Sequence, residues 1–415
     1  MLKSYKYRIY PTIEQEILMS KHFGCVRLMY NIGLSYRQYA WEGGVSVGYN
    51  KCSEELKLLK KAYPFLTEVN SQSLQKSLKD LDNSYSRFFK KTSKYPKFKS
   101  KYDKQSFHCP QNVEISLYKG KLFLPKFKEG IQVEVHRKFK GEVCSCTVSK
   151  TPTGKYFVSI LVENHQQFTL KKPVLDETTV GGDLGIKTFI SLSDGTKIDN
   201  PKFLRASLEK VKYLSKKLSK TKLKSNRRKK AKKRLARAHE KVANQRKNFL
   251  HQGSNEITNR NDTVCLEGLK VKNMVKNHNL ALSISDAGWG MFKEFTKYKC
   301  LHKGKNFIEI GTFEPSSKTC NCCDYVNHDL KLSDRTWTCP QCHTVLDRDD
   351  NAAMMVKKIG LKMYRRTEYS HQDGEVSPLS TRKKAGKRTV ETSKIQNVAL
   401  EIPSQSNFEA TIHLW

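Results

Sequence analysis

Apolar residues recur every three or four positions from Thr12 to about Lys91, behind a strand-like opening at residues 1–10. This period is typical of amphipathic helices with one buried face. The apolar and aromatic residues of the later part form one stripe: Leu74, Leu78, Leu81, Tyr85 and Phe88. The pattern predicts a helical domain over residues 11–105 with this stripe in its core.

The period of the pattern changes to two between residues 106 and 163. Alternating apolar and polar residues are typical of half-buried strands, and glycine-containing turns near Gly120 and Gly154 join these strands into hairpins. The simplest architecture combines the hairpins with the opening strand. We therefore expect a small β-barrel of residues 1–10 and 106–170, into which the helical domain is inserted.

Two later strands each present one carboxylate. In the first, Val180 and Leu184 alternate with small residues, and Asp183 lies between two glycines on one strand face. In the second, an apolar run ends at Glu267, directly before Gly268. Both patterns predict a carboxylate that projects from a strand without crowding from its neighbours.

A third carboxylate lies at the start of a helix predicted from about Arg348. Asp349 shares one face with small apolar residues at positions i+3, i+4 and i+7: Ala352, Ala353 and Val356. That face predicts close packing on a sheet, with Asp349 at the sheet edge. Asp350 lies on another face, and Asp347 suits an N-cap. The alternative is that these three acids only favour the helix N-terminus electrostatically.

Asp183, Glu267 and Asp349 are 84 and 82 residues apart, so only the fold can bring them together. Carboxylates from separate elements suit a site for two Mg²⁺ ions, which lie ~4 Å apart and act on the attacking and leaving oxygens of a phosphodiester. The sequence thus predicts a catalytic magnesium site. The alternative for each acid is an ordinary surface carboxylate.

Four cysteines have the spacing of a zinc ribbon. Two C-x-x-C pairs are separated by 15 residues, as expected when four thiolates close a tetrahedral site: Cys320, Cys323, Cys339 and Cys342. Cys322 offers an alternative C-x-C pairing with Cys320, but C-x-x-C matches the second pair, so Cys322 is interpreted as a bystander. The other alternative is two unrelated C-x-x-C pairs.

Charge indicates the class of partner. Lysine and arginine number 77 against 40 aspartate and glutamate, a formal charge of +37. Such an excess favours nucleic acid over an anionic membrane, because no stretch approaches the ~20 consecutive apolar residues of a spanning helix. The opening residues contain no apolar signal segment, so we expect a cytoplasmic chain with reduced thiols.

Basic residues are densest between Pro201 and Lys247, where 20 Lys or Arg accompany two acids. A thin apolar stripe predicts two helices there, and their basic flanks predict contacts with phosphates. The candidates for these contacts include four consecutive residues: Arg227, Arg228, Lys229 and Lys230. The alternative is a solvated charged surface.

Several motifs, in this order, closely resemble the TnpB family, transposon-encoded relatives of the type V CRISPR nucleases. They are VGGDLGIK, VCLEGLKVKNM, SISDAGWGMFKEF, PSSKTC, CPQC and DRDDNAA. The resemblance extends to YRIYPTIEQ and NSQSLQKSLKDLDNSYSRFFKK in the N-terminal half. Gly182, Gly268 and Asp324 depart from the family pattern, in which an aliphatic residue, Asp or Asn, and Gly are usual. These departures concern the level of activity.

The resemblance implies a multidomain α/β protein with a RuvC-like nuclease core of the RNase H fold. Residues 177–315 would form this core, which includes the basic helices at 201–250. Residues 316–345 would form an inserted zinc ribbon, and 346–360 the last helix of the core. The β-barrel would be the family's wedge domain and the helical insertion its recognition domain. Residues 361–415 are polar and aperiodic, and we predict a largely disordered tail.

Cofactors and partners also follow from the resemblance. Asp183, Glu267 and Asp349 occupy the three RuvC carboxylate motifs and would bind two Mg²⁺, while the four cysteines would bind one structural Zn²⁺. A non-coding guide RNA would direct a monomeric chain to double-stranded DNA beside a short motif. Tyr49 and Gln75 fall where the family's recognition helices face the DNA; the alternatives are that Tyr49 only packs a loop and that Gln75 is an ordinary surface residue. The expected location is the prokaryotic cytoplasm, at the nucleoid when DNA is bound.

The predicted function is therefore that of a transposon-encoded, RNA-guided DNA endonuclease. A minimal type V CRISPR effector would share all these motifs. A guided repressor would bind without cleaving, and its usual mark is loss of a carboxylate, which is not seen here. A plain zinc-ribbon nucleic-acid-binding protein would not need Asp183 and Glu267 on strand ends.

Overall fold

A computed structural model describes residues 1–165, 170–312, 314–331 and 334–372. The chain divides into two compact units. The N-terminal unit contains the described residues 1–165, and the C-terminal unit contains the described residues from 170 to 372. Each unit has its own hydrophobic core and is described separately.

The N-terminal unit combines three α-helices, a short 3₁₀ turn at Pro64–Thr67 and a sheet within its described residues. In chain order the elements are β1 (Leu2–Tyr10), α1 (Ile13–Glu42), α2 (Tyr49–Ala62), α3 (Ser71–Phe89), β2 (Gln105–Cys109), β3 (Glu114–Ser116), β4 (Lys121–Phe123), β5 (Ile131–Glu134), β6 (Glu142–Lys150) and β7 (Tyr156–Glu163).

Seven antiparallel strands form one sheet in the order β2-β6-β7-β1-β5-β4-β3. The predicted hairpins are confirmed, since β3 and β4 turn through Gly120 and β6 and β7 through Gly154, both with positive φ. Strand β5 was not predicted, and it extends the sheet beside β1. Within residues 1–165 no pairing joins the edge strands β2 and β3, so closure into a barrel stays a prediction.

The region between β1 and β2 is helical as far as Phe89, as predicted, whereas residues 90–104 form turns and loops. Helix α1 begins with a capping box, in which the Thr12 hydroxyl accepts from the Gln15 N–H at 3.3 Å and the Gln15 side chain accepts from the Thr12 N–H at 3.1 Å. Leu74 and Leu78 of α3 are buried against α1 and α2, as the apolar stripe predicted. Leu81 and Tyr85 continue that stripe in a second buried cluster.

The C-terminal unit contains a five-stranded sheet, a two-stranded sheet of β13 and β14, and six helices in its described residues. Its elements are β8 (Thr179–Leu184), β9 (Thr188–Leu192), β10 (Lys197–Asp199), α4 (Phe203–Ser219), α5 (Asn226–Arg260), β11 (Thr263–Glu267), α6 (Val271–Met274), α7 (His278–Ala287), α8 (Trp289–His302), β12 (Asn306–Ile310), β13 (Thr336–Thr338), β14 (Val345–Asp347) and α9 (Arg348–Gln372).

Five strands of this unit form a mixed sheet in the order β10-β9-β8-β11-β12. Strands β8, β11 and β12 are parallel, while β9 and β10 return antiparallel beside β8. Val264 and Leu266 belong to a core that includes residues of α5 and α8, whereas Cys265 packs with Val356 of α9. Parallel pairing places the carboxyl ends of β8 and β11 at the same sheet edge.

Helix α9 lies against the sheet almost backbone to backbone. A Cβ atom added to Gly181 of β8 would lie 2.3 Å from the Ala353 carbonyl oxygen, and one added to Gly360 would lie 2.5 Å from the Cys265 sulfur. Ala352 and Ala353 are buried at this contact, which confirms the helix face predicted from the sequence. Only small residues permit such close packing.

The length of α9 corrects one prediction. We expected the last helix to end near residue 360 and a disordered tail to follow, but α9 continues to Gln372. Apolar side chains such as Val356 and Leu361 are buried along this helix, which supports its length. Residues 373–415 lie outside the described part of the chain. No helix of the described residues is long and apolar enough to cross a membrane.

Substitution at Gly181 tests the close helix contact. We expect Gly181→Ala to destabilise the C-terminal unit by about 1–3 kcal/mol, because overpacking here meets backbone atoms that cannot rotate away. Gly253→Ala in α5 is the matched control, since its added Cβ would meet ordinary contacts at 3.7 and 3.8 Å. Calorimetric unfolding of the full chain measures both, and equal midpoints would contradict the role of Gly181.

Candidate active site and metal centre

Asp183 lies on β8, next to the contact with α9. Its carboxyl has a pKa raised to about 7, first by burial and then by the negative charges of Glu267 and Asp349, with Arg348 acting in the opposite direction. The structure therefore brings the three predicted carboxylates into one neighbourhood. All three belong to the C-terminal unit.

Glu267 is the last residue of β11, which runs parallel to β8 with Leu266 opposite Gly182. Burial raises the pKa of its carboxyl, and a hydrogen bond from the Ser316 hydroxyl lowers it. The Ser316 oxygen donates to Glu267 Oε1 at 2.6 Å. This bond fixes one carboxylate oxygen and leaves the other available for a ligand.

Asp349 lies in the first turn of α9. The predicted N-cap is confirmed, because Asp347 accepts from the backbone N–H groups of Asp349 and Asp350 at 2.9 and 3.0 Å. Arg335 Nη1 lies 3.4 Å from Asp349 Oδ1. Asp350 faces elsewhere and pairs with Lys197 of β10 at 2.8 Å. The two adjacent acids thus have different surroundings, as the helix face predicted.

The trio has the chemistry of a site for hard divalent cations. Its donors are carboxylate oxygens, and their mutual repulsion is relieved by a bound cation. Among the described residues, only the four cysteines have ligand atoms all within 4.8 Å of one another, so at least one pair of these carboxylates is more widely spaced. Carboxylate oxygens are the ligands that Mg²⁺ prefers in proteins, so the chemistry of the donor set fits this cation.

The four predicted zinc ligands converge. Their sulfur atoms all lie within 4.8 Å of one another, with Cys320 and Cys342 at 3.6 Å and Cys323 and Cys339 at 3.5 Å. Thiolates around a tetrahedral zinc are ~3.8 Å apart, given a Zn–S distance of ~2.3 Å. Cys322 is exposed and its thiol contacts the Asn321 side chain, in agreement with its interpretation as a bystander.

Two departures from the family pattern have local explanations. Asp324 adopts a φ of 61°, the left-handed conformation that favours Gly, and its carboxylate pairs with Lys358 of α9 at 2.7 Å. A Cβ atom at Gly268 would lie 2.6 Å from the Ile310 carbonyl oxygen, so a side chain is excluded after Glu267 in this backbone arrangement. Neither departure removes the predicted metal ligand that precedes it, Cys323 or Glu267.

Helices α4 and α5 confirm the two predicted basic helices, and they pack against each other as a hairpin. Arg227, Lys229 and Lys230 are exposed in the first turn of α5. Arg228 has a structural role instead, since its guanidinium donates to the Leu218 and Thr221 carbonyl oxygens at 3.1 and 3.0 Å and so caps α4. Its predicted contact with nucleic acid stays untested.

A buried ion pair anchors the same hairpin. Asp286 of α7 accepts from the Leu204 N–H at the start of α4 at 2.9 Å and pairs with Arg246 of α5 at 2.7 Å. One carboxylate therefore connects three helices. The sequence singled out SISDAGWG only as part of a resemblance, and nothing in its spacing indicated this role.

The predicted DNA-reading residues lie on the helices of the N-terminal unit. Gln75 is exposed on α3, one turn before Lys79, whose ammonium lies 4.9 Å from the ring centre of Tyr49. Tyr49 begins α2 and is half-buried against the helical core. Gln75 is thus free of the core, whereas Tyr49 has a packing role as well.

The roles of Ser316 and Asn351 were not predicted from the sequence. Asn351 is buried near the start of α9, where its side chain bonds the backbone of Thr319 and Asn321 beside the predicted zinc ligand Cys320. Both residues act through atoms that are distant in the chain, and a lone Ser or Asn carries no spacing signal of its own.

Comparison with protein families gives three matches along the chain. A family described as "Probable transposase", OrfB of IS605, matches residues 158–278. A "Cas12f1-like, TNB domain" matches residues 289–356, which include the four cysteines and the first turn of α9. The helix-turn-helix domain of OrfB matches residues 1–44, which here form β1 and the single long helix α1.

Curated relatives and a solved structure match most of the chain. A Streptomyces pristinaespiralis protein named "Putative RNA-guided DNA endonuclease" is 37% identical over 364 residues, covering 86% of this chain and 89% of the relative. The Escherichia coli K12 protein InsQ, named in the same way, is 29% identical over 381 residues, covering 86% and 92%. The fold resembles a Cas12f1 chain solved with sgRNA and target DNA, with a TM-score of 0.57, 14% identity and coverage of 86% and 98%. By its similarity to these relatives along most of its length, the chain belongs to the TnpB family.

Proposed function

We propose that this TnpB-family chain is an RNA-guided DNA endonuclease encoded by a transposable element. It cleaves DNA complementary to its guide beside a short transposon-associated motif. The observation that carries this proposal is the convergence of Asp183, Glu267 and Asp349 from β8, β11 and α9, where burial and the other two charges raise the pKa of Asp183 to about 7. A partly buried cluster of acids is unfavourable without a cation, which is typical of a catalytic metal site.

The proposed architecture follows the sheet of the C-terminal unit. The mixed sheet with α9 packed on β8 supports a RuvC-like core of the RNase H fold. The four cysteines between β12 and α9 support an inserted zinc ribbon that contains β13 and β14. In the N-terminal unit, the seven-stranded sheet is proposed as the wedge domain, and α1 to α3 as the recognition domain.

Two kinds of metal site are proposed. Asp183, Glu267 and Asp349 would hold two Mg²⁺, which when bound supply activation of a water nucleophile and stabilisation of the 3′ leaving oxygen. The four cysteines would hold one Zn²⁺, which contributes folding free energy to the ribbon.

The protein's own groups prepare the carboxylate site. Ser316 orients Glu267 by its hydrogen bond, and Arg335 lies beside Asp349. Because the pKa of Asp183 is about 7, its carboxyl is partly protonated at neutral pH, and cation binding must displace that proton. Cleavage should therefore need more cation below neutral pH than above it.

Nucleic-acid binding is assigned to exposed basic and polar surfaces. Arg227, Lys229 and Lys230 of α5 are placed for phosphates, which fits an electrostatic and sequence-independent contact. Base pairing with the guide would read the target sequence, while Gln75 could pair with adenine in the major groove of the adjacent motif. Tyr49 would support that surface through its contact with Lys79.

A minimal type V CRISPR effector is the second candidate. The Cas12f1-like TNB domain match and the shared fold favour it. The chemistry of cleavage would be the same, so only the genomic neighbourhood separates the two: a transposon end supports the first proposal and a repeat array the second. The presence of all three carboxylates supports cleavage over guided repression.

Substitution of each carboxylate tests the endonuclease proposal. Asp183→Ala, Glu267→Ala and Asp349→Ala should each lower cleavage by roughly 10³-fold or more, because metal ions supply several kcal/mol of transition-state stabilisation. RNA-dependent DNA binding should stay nearly intact in a gel-shift assay. Asp350→Ala is the control and should be mild, since its pair with Lys197 is half-exposed. Full cleavage by the Asp183 variant would refute the assignment.

Zinc content tests the ribbon. Serine at Cys320, Cys323, Cys339 or Cys342 should abolish stoichiometric zinc binding and lower the thermal stability of the C-terminal unit, because structural zinc contributes directly to folding. Cys322→Ser should retain one equivalent, since Cys322 is exposed. Elemental analysis of purified variants measures this. Zinc retained by Cys323→Ser but lost by Cys322→Ser would identify Cys322 as the ligand.

The raised pKa of Asp183 predicts a pH-dependent stability. A raised folded-state pKa favours the folded state at low pH, and this contribution is lost as the pH rises from about 4 to about 7. Asp183→Asn should thus nearly match the wild type at pH 4 and exceed its stability at pH 8 by on the order of a few kcal/mol. Thermal unfolding in magnesium-free, zinc-containing buffer measures this, with the exposed turn variant Asp194→Asn as control. Equal stability at pH 8 would contradict the prediction.

A further inference from the structure

Six residues before and within the first zinc knuckle contact two of the three carboxylate-bearing elements. We name Ser316–Asn321 the linking segment. At its start, Ser316 is buried and its hydroxyl donates to Glu267 Oε1 at 2.6 Å. Near its end is Cys320, whose sulfur lies 3.6 Å from that of Cys342. The segment thus connects the end of β11 to the zinc ligands.

Asn351 connects the same segment to α9. Its side chain is 1% exposed and makes two bonds to the backbone, donating to the Thr319 carbonyl oxygen at 2.7 Å and accepting from the Asn321 N–H at 2.9 Å. These two backbone groups flank Cys320. Asn351 also lies only two residues after Asp349, within the same helical turn.

Backbone hydrogen bonds also hold the linking segment to neighbouring residues. The Thr319 N–H donates to the Pro315 carbonyl oxygen at 3.1 Å, and the Cys320 N–H donates to the Tyr325 carbonyl oxygen at 2.8 Å. Buried hydrogen bonds to backbone groups are costly to break, because the backbone atom would stay unpaired. A displacement of Cys320 is therefore transmitted to Asn351 and Ser316.

We propose that Ser316 and Asn351 are positioning residues for the Mg²⁺-binding carboxylates, and that the linking segment couples zinc binding at the four cysteines to divalent-cation binding by Glu267 and Asp349. The inference rests on the proposed function, because it takes the trio as a cation site. Outer residues that orient metal ligands typically change metal affinity by 10- to 100-fold. We therefore expect an effect on cation affinity that is separate from nucleic-acid binding.

Single variants test the positioning role in the full-length, zinc-loaded chain. Asn351→Ala and Ser316→Ala should each weaken Mn²⁺ binding about tenfold and raise the Mg²⁺ concentration for half-maximal cleavage by a similar factor. Mn²⁺ binding is measured by electron paramagnetic resonance, with Asp183→Ala as the baseline for binding elsewhere. Zinc content and RNA-dependent DNA binding should stay at wild-type values. Excess Mg²⁺ should restore much of the cleavage.

Conservative variants separate positioning from loss of structure. Ser316→Thr keeps the hydroxyl and should recover the wild-type Mn²⁺ affinity. Asn351→Asp keeps size and the acceptor for Asn321 but loses the donor to Thr319, and should reproduce the weaker binding in a folded chain. Asn306→Ala is the matched control, because Asn306 is also buried and donates to a backbone carbonyl, that of Lys172, at 2.8 Å. It begins β12, at the opposite end from Glu267.

A double variant tests the coupling itself. Cys339→Ser lies in the second knuckle, outside the linking segment in sequence, and should lower both zinc content and Mn²⁺ affinity. Adding Asn351→Ala should then cause little further loss, since zinc acts through that contact. Independent, multiplying losses would overturn the coupling, and wild-type Mn²⁺ affinity in Asn351→Ala would overturn the positioning role. If Asp183→Ala cleaves normally, the proposed function itself fails, which is a distinguishable result.

Discussion

Repulsion among three partly buried carboxylates is the constraint on which the C-terminal unit depends. Asp183 is held where burial and the charges of Glu267 and Asp349 raise its pKa to about 7, which makes the metal-free arrangement unfavourable. The surrounding structure must supply the free energy that keeps the trio together. Active sites commonly sacrifice stability in this way, because a preformed cluster binds its cation without reorganisation.

That free energy comes from packing that leaves the carboxylates little freedom. Gly181 allows α9 to approach the β8 backbone, and Gly360 allows the same helix to lie on Cys265 of β11. Because α9 contacts the sheet closely at two points along its length, the position of its first turn relative to the sheet edge is fixed. Asp347 caps that turn, and Lys197 pairs with Asp350 beside it. The position of Asp349 therefore depends more on the backbone contacts of α9 than on the contacts of its own side chain.

The sequence predicted those residues whose pattern lies within a short stretch of the chain. The four cysteines were predicted from two short spacings, and Asp183 and Glu267 from strand alternation beside glycine. The face of α9 was predicted from the period of its small residues. Strand β5 was missed because four residues with two buried side chains carry a weak signal. Ser316, Asn351 and the capping role of Arg228 depend on partners that only the folded chain supplies, so no single-sequence pattern could indicate them.

The net positive charge of the chain attracts a nucleic acid, whereas the negative charge of the three carboxylates repels it. A formal charge of +37 attracts a polyanion over the whole surface, and exposed residues such as Lys229 and Lys230 supply contacts that do not depend on sequence. The three carboxylates would repel the same phosphates at the proposed point of cleavage. Cations bound by the trio would reverse that local sign, so they should matter little for binding and decisively for catalysis. Under the proposed function, this division would allow a guided protein to search DNA without cutting it, because cleavage would need a phosphate, the cations and a correctly held Asp349 at once.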